Sequence, residues 1–521
     1  MNYLDDFFED EVIEGFYVPS IMKMLWAAKL EVLLDIGKVC KRHQIKWHIS
    51  FGTLLGAVRH QGFIPWDDDI DIAMCREDYE HFLEIAETEM PEYIIKNMYT
   101  DTGYYDFTTV VANGENFSFQ KEYLEKFYGL PYPAGVDIFV LDYISVNEEE
   151  ENLRENLLHL IWDTAYRMPE KGAMDQNLRD ALVLIQQATG VELAAKADVK
   201  HELFVLFDKL CAIYQREEAE YAACLPYKVM RKHYTFPKEI LEDCVDMDFC
   251  GEKLPGVREY DRYLREEYGD YTVKQRTGGD HGYPAFRRYE KPYLEIADRI
   301  PYRYEFAEEH LQASRVCTEE GVKTSETKIL FLVYKYASWK YMEDPYRYWT
   351  KQDNVTVDIL VIPYYRTDFL GNRIGKYYDY DKFVDVLPVT DISNYDLRKE
   401  RPDIIYTHNL WDDCNATTTI QPEFYSAVIK HDTDRLVYIP DFEVDAIDPA
   451  DEKGMYSTNF FIKMPGVIHA DEVRVSHPKM RDLYINVLME FTGKSRKYWE
   501  KRIICPENEK NEKNEKKGLR I

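Results

Sequence analysis

The chain has 521 residues, with 65 Lys and Arg against 95 Asp and Glu, a net charge of −30. That length predicts more than one domain, and a composition of 45% hydrophobic and 31% charged residues is globular, which excludes disorder over most of the chain. The acid excess excludes a general nucleic-acid binder, which needs a basic face for phosphate, and disfavours electrostatic attachment to anionic lipid.

In chain order, the first ten residues carry acid where a secretory signal would need basic residues. No stretch nears the ~20 apolar residues of a membrane span. The nine cysteines are dispersed without a C-x-x-C pair. These features predict a cytoplasmic protein with reduced thiols and at most peripheral association with the inner face of the membrane. Apolar residues at three- and four-residue steps predict a helix over 21–40. A short strand is expected over 47–51, then a Gly52-Thr53 turn, an apolar helix from Leu54, and strands over 70–74 and 136–141. Residues 148–221 are rich in Leu, Ala, Glu and Lys at helical spacing and predict a helical subdomain.

The polar stretch 302–328 reads as a linker. Beyond it, nearly continuous apolar strands at 329–334, 357–362, 403–407 and 436–440 alternate with helical patterns at 339–352 and 423–430. Such alternation predicts a parallel sheet covered on both faces, Rossmann-like although it has no G-x-G-x-x-G. The Asn-Glu-Lys run at 508–516 is a solvated low-complexity tail. The expected fold class is α/β, with domains over 1–300 and 329–504, a linker over 301–328 and a tail over 505–521.

Chemistry concentrates between Phe51 and Asp71. Asp69 and Asp71 flank Ile70 on an expected strand, where side chains two apart share a face. Paired carboxylates repel, and a divalent cation neutralises them most simply. Upstream, Gly52 and Thr53 open a helix whose free N–H groups suit a phosphate, and Arg59 adds a fork of donors. Asp137 lies between Val136 and Ile138 on the third strand, and Asp142 is a weaker candidate that would equally serve as a strand-end cap. Asp67 and Asp68 alone read as a solvated loop. Burying three carboxylates costs several kcal/mol each unless a metal offsets it.

The segment from Thr53 to Asp71 resembles the LicD family, which includes fukutin-related proteins, and more broadly the nucleotidyltransferase superfamily. A second block, from Tyr260 through Gly269, Asp270 and Tyr271, is similar to that family's closing motif, so the resemblance covers about 28–291. It implies an α+β nucleotidyltransferase-like domain with a helical insertion. It implies that Asp69 and Asp71 are the metal-binding pair, Asp137 the third carboxylate, Gly52 and Thr53 the phosphate turn, and Arg59 and Trp66 positions around the donor. The implied cofactor is Mg²⁺ or Mn²⁺. The implied reaction moves a phosphorylated alcohol, such as phosphocholine, from a CDP-activated donor to a sugar of a cell-surface glycan, lipopolysaccharide or teichoic-acid precursor, releasing CMP. A nucleotidyl transfer from an NTP and a non-catalytic glycan- or nucleotide-binding protein are the alternatives.

Lys274 and Arg276, with Arg287 and Arg288, flank a Gly-rich stretch containing His281 that would hold donor phosphate or an anionic acceptor. A solvated loop explains them equally well. His43, His48 and His60 lack metal-ligand spacing and read as structural. Residues 401–440, with His408 and Asn409 ending an expected strand, resemble the N-terminal half of CDP-glycerol glycerophosphotransferases. That resemblance implies one half of a GT-B-type pair, serving as an acceptor-binding or assembly module.

Overall fold

The computed structural model describes residues 5–169, 174–193, 198–230, 235–276, 282–311 and 326–505. They form two compact units, one of Leu25–Gln275 and one of Met1–Met24 with Arg276–Ile521. The expected border at 300 thus lies later than the one between the units, and the grouping of 1–24 with the second unit has no counterpart in the sequence. Contacts between residues hundreds of positions apart leave no local periodicity to read. Within the expected linker, 312–325 lie outside the described residues, as do 506–521 of the expected tail. Among the described residues no helix is long and apolar enough to cross a membrane.

The first unit takes most of the long helix α1 (Ser20–His43), whose Ala27, Ala28, Leu30 and Leu33 are fully buried. Then come β1 (His48–Ile49), α2 (Phe51–His60), β2 (Asp71–Cys75), α3 (Arg76–Glu89), β3 (Ile94–Lys96), β4 (Thr109–Ala112) and β5 (Gly135–Ser145). The expected helical subdomain is α4 (Glu148–Arg167), α5 (Gln176–Thr189) and α6 (Val199–Cys211). Asn147, Asp175 and Asp198 each accept a first-turn amide of these helices, the capping role for which short polar side chains are suited. The expected helical stretch ends in a strand, β6 (Ala219–Ala223), followed by β7 (Phe236–Pro237), β8 (Cys244–Phe249), β9 (Glu252–Val257) and α7 (Tyr260–Tyr268). One mixed sheet runs β8-β9-β1-β2-β5-β4-β3, with β6 joining β5 to β7.

Asp142 lies within β5 rather than capping it and is 1% exposed. Its two carboxylate oxygens accept from Arg76 Nε at 2.7 Å and from another guanidinium nitrogen at 3.0 Å, and Arg76 also donates to Asp208 on α6 at 2.9 Å. Burial pushes the Asp142 carboxyl up despite its cation. This buried triad ties the helical subdomain to the sheet, so Asp142 is structural.

The second unit carries a seven-stranded sheet: β10 (Thr327–Val333), β11 (Val355–Val361), β12 (Val389–Asp391), β13 (Ile404–Thr407), β14 (Arg435–Tyr438), β15 (Glu472–Arg474) and β16 (Ile503–Ile504). Its order is β12-β11-β10-β13-β14-β15-β16, and each of its pairings is parallel. Alternate residues of β10 enter two different cores. Leu330 and Leu332 pack with Leu360, Ile405 and Leu436, while Ile329, Phe331 and Val333 pack with Ile359, Tyr406 and Val437. Both faces are therefore covered, which explains the uninterrupted apolar strands. The helix expected over 339–352 divides into a 3-10 turn (Tyr336–Tyr341) and a helix (Glu343–Trp349), because Pro345 has no amide to continue the earlier ladder. Residues 11–13 and 16–18 form a hairpin.

Two histidines of this unit are buried and neutral. Burial pushes His408 down to about 4 and His469 down to about 3. Unfolding restores an ordinary histidine near 6.5, so their contribution to stability is complete above that pH and is lost as pH falls toward 4. Asp412, pushed up to about 7 by burial, acts in the opposite sense, with a contribution lost as pH rises from about 4 to 7. Thermal melting between pH 7 and 4.5 is expected to show an acid loss that His408→Gln reduces by on the order of 3 kcal/mol at its limit; an unchanged acid limb in that variant would refute the assignment.

Candidate active site

The site is built where α2 meets β2 and β5. Phe51, the first residue of α2, sits at φ 45°. That left-handed conformation strains a bulky side chain and turns the chain sharply out of β1. Ser50 does not cap the helix with its side chain; its hydroxyl instead bonds the Tyr263 hydroxyl of α7 at 2.6 Å. The closing block seen in the sequence therefore braces this turn. Gly52 has a steric reason: a Cβ there would stand 2.7 Å from Asp67 Oδ2. The Thr53 hydroxyl accepts from the Asp71 amide at 2.8 Å, so Thr53 fixes the start of β2 against α2.

Asp71 begins β2, and Asp69 precedes the strand rather than lying on it. The ladder still reaches back one residue, since the Asp137 amide donates to the Ile70 carbonyl at 2.9 Å. Asp71 and Asp137 are direct partners on parallel β2 and β5, which places both on one face of the sheet. Burial, followed by the charges of Asp69, Asp137 and Asp67, holds the Asp71 carboxyl well above the usual carboxylate range, with Lys29 opposing. Ligand atoms of Asp67, Asp68 and Asp69 also lie within 4.8 Å of one another. Asp68 is fully buried, so the solvated loop expected at 67–68 is corrected: these carboxylates belong to the acidic cluster.

Sequence reasoning missed Lys29. Its side chain projects from α1 at 6% exposure and its ammonium lies 3.3 Å from Asp69 Oδ1. Although burial opposes its charge, Asp69, Asp68 and Asp137 hold the ammonium above its ordinary range. The available signal was a lysine within the apolar face of a helix, between Ala28 and Leu30. Trp26, one turn earlier, donates to the Asp67 carbonyl at 2.8 Å.

The remaining candidates distribute differently. Arg59 donates to the Val273 carbonyl at 3.1 Å, and the buried Trp66 indole donates to the Gln275 carbonyl at 3.2 Å. Both thus secure the 273–275 segment. Lys274 is exposed on that same segment. Arg276 belongs to the second unit, where it donates to the Glu14 carbonyl at 3.1 Å and pairs with Asp445 at 3.4 Å. His281 lies outside the described residues.

A set of carboxylate oxygens, crowded enough to raise one member's proton affinity, suits a hard divalent cation such as Mg²⁺ or Mn²⁺. The adjoining first turn of α2 suits a phosphate. Only with such a cation bound would the arrangement neutralise an anionic substrate, while a carboxylate beside it can accept a proton.

Residues 44–150 match the LicD/FKTN/FKRP nucleotidyltransferase-domain model. Over 257 residues, 46% of this chain and 88% of the relative, the chain is 27% identical to the lipopolysaccharide cholinephosphotransferase LicD of Haemophilus influenzae. Over 55 residues it is 49% identical to an uncharacterized protein of Rickettsia typhi and 47% identical to one of Rickettsia prowazekii. Those matches span 11% of this chain and only 18% and 21% of the two relatives.

Proposed function

We propose, from the match of residues 44–150 to the LicD/FKTN/FKRP nucleotidyltransferase-domain model, that the chain is a transferase moving a phosphorylated alcohol, phosphocholine first among them, from a CDP-activated donor to a glycan hydroxyl. One observation carries this reading: Asp71 stands in register with Asp137 beside Asp69, next to the first turn of α2. Glycan acceptors of lipopolysaccharide or teichoic-acid type fit the same chemistry.

Asp69, Asp71 and Asp137 would hold Mg²⁺ or Mn²⁺, which when bound neutralises charge on the donor pyrophosphate. Gly52 and Thr53 present the first-turn amides of α2 toward phosphate, while the Thr53 hydroxyl keeps Asp71 in place. Asp137 would either complete the ligand set of the metal or accept the proton of the attacking hydroxyl. Lys29 balances the cluster and orients Asp69.

The test is CMP release across CDP-choline, CDP-ethanolamine, CDP-glycerol and CDP-ribitol, each with Mg²⁺ and a lipopolysaccharide or teichoic-acid acceptor. Acceptor-dependent CMP release with CDP-choline, abolished by EDTA, is the expected result. Release of pyrophosphate from NTPs with no turnover of any CDP-alcohol would replace this reading by nucleotidyl transfer.

A further inference from the structure

The second unit holds a cavity of about 390 Å³ that the transfer reaction does not use. Its position follows from topology. From β10 the chain builds β11 and β12 on one side, then returns to place β13 on the other, so the order reverses between β10 and β13. Ligands of open parallel sheets bind outside the carboxyl ends of the strands at such a point. Tyr334 and Lys335, directly after β10, line the cavity, as do Trp411 after β13 and Phe442 after β14. The N-terminal hairpin of the same unit closes it with Glu11, Val12 and Tyr17.

The lining has two properties. First, it is aromatic: the Tyr17 ring centroid lies 5.0 Å from Phe442 and 6.2 Å from Trp411. Tyr17 is 2% exposed, and its buried hydroxyl has no hydrogen-bond partner among the described residues. A buried hydroxyl left in that state costs free energy that a ligand oxygen would recover. Second, the lining is acidic. Asp10, Glu11, Asp441 and Glu443 line it against one ammonium, Lys335, which is already paired with Glu9 at 3.0 Å. Asp10 is committed to the Ser20 amide and Asn415, Glu11 pairs with Lys23, and Asp441 accepts from Ser338 at 2.8 Å, which leaves the exposed Glu443 of the lining. A phosphate would be repelled by these carboxylates. Aromatic faces with surrounding carboxylates instead attract an organic cation.

We propose that this cavity binds a small organic ammonium ion bearing a hydroxyl, with the cation against the aromatic wall and Glu443, and the hydroxyl on Tyr17. The site stands independently of the transfer reaction assigned to the first unit.

The experiment is titration calorimetry of the full chain at low ionic strength. The probes are choline chloride, tetramethylammonium chloride, CMP and 3,3-dimethyl-1-butanol, the uncharged carbon analogue of choline. Choline and tetramethylammonium are expected to bind, with the uncharged analogue about tenfold weaker or worse. Glu443→Gln should weaken both cations, and Tyr17→Phe should weaken choline while sparing tetramethylammonium. Binding should persist in Asp71→Asn, which separates this cavity from the carboxylate cluster. Equal binding of choline and its uncharged analogue, preference for CMP, absence of heat with either cation, or loss of choline binding in Asp71→Asn would each overturn the proposal.

Discussion

Asp71→Asn is expected to lower CMP release by roughly a thousandfold while leaving the protein at least as stable as the parent. The rate loss follows from removing a charged oxygen where the proposed reaction gathers phosphate charge, an effect of about 4 kcal/mol at the usual tenfold per 1.36 kcal/mol. The stability gain follows from the opposite side of the same crowding. Asp71 is disfavoured as an anion by burial and by Asp69, Asp137 and Asp67, so its folded proton affinity is raised. A group raised in this way costs stability once pH exceeds its unfolded value, and a neutral Asn of similar shape removes that cost. Melting with EDTA should therefore show an unchanged or higher midpoint, and Mg²⁺ should raise the midpoint of the parent more than that of the variant. Near-parental turnover in the folded variant would remove Asp71 from the mechanism.

Arg76→Ala is expected to destabilise the first unit by about 3–5 kcal/mol, the usual consequence of leaving a buried charge without its partner. The charge left behind is Asp142, 1% exposed, which loses two hydrogen bonds from the guanidinium, while Asp208 on α6 loses its link to the sheet. The paired replacement Arg76→Met with Asp142→Leu should recover much of the loss, because it removes both charges and retains volume. Urea unfolding followed by tryptophan fluorescence separates the two variants. Equal destabilisation in both would mean that packing, not charge, makes Arg76 necessary.

Much of the fold was legible because two periodicities were strong. The continuous apolar strands at 329–334, 357–362, 403–407 and 436–440 all form the parallel sheet, since a strand buried on both faces has no reason to alternate. The strands β12, β15 and β16 escaped notice; with three, three and two residues they are too short to carry a pattern. In the site, the order of Gly52-Thr53, Asp69, Asp71 and Asp137 was visible, but the meaning of each was not. Thr53 uses its hydroxyl on the Asp71 amide, Arg59 and Trp66 use their donors on Val273 and Gln275, and Arg276 belongs to the second unit.

By itself, the sequence determined which strands are buried and that Asp71 and Asp137 stand at strand positions, because side-chain alternation and hydrophobic runs are local properties of the chain. Tertiary structure alone decided that Asp71 faces Asp137 across a parallel pair and that Lys29, 40 residues upstream of Asp69, supplies an opposing charge. It alone decided that Asp142 answers Arg76, and that residues 1–24 share a unit with residues 276–521 and help close a cavity at that unit's strand ends. Coulomb interaction and burial depend on distance in space, and the chain brings these groups together only when the sheets form.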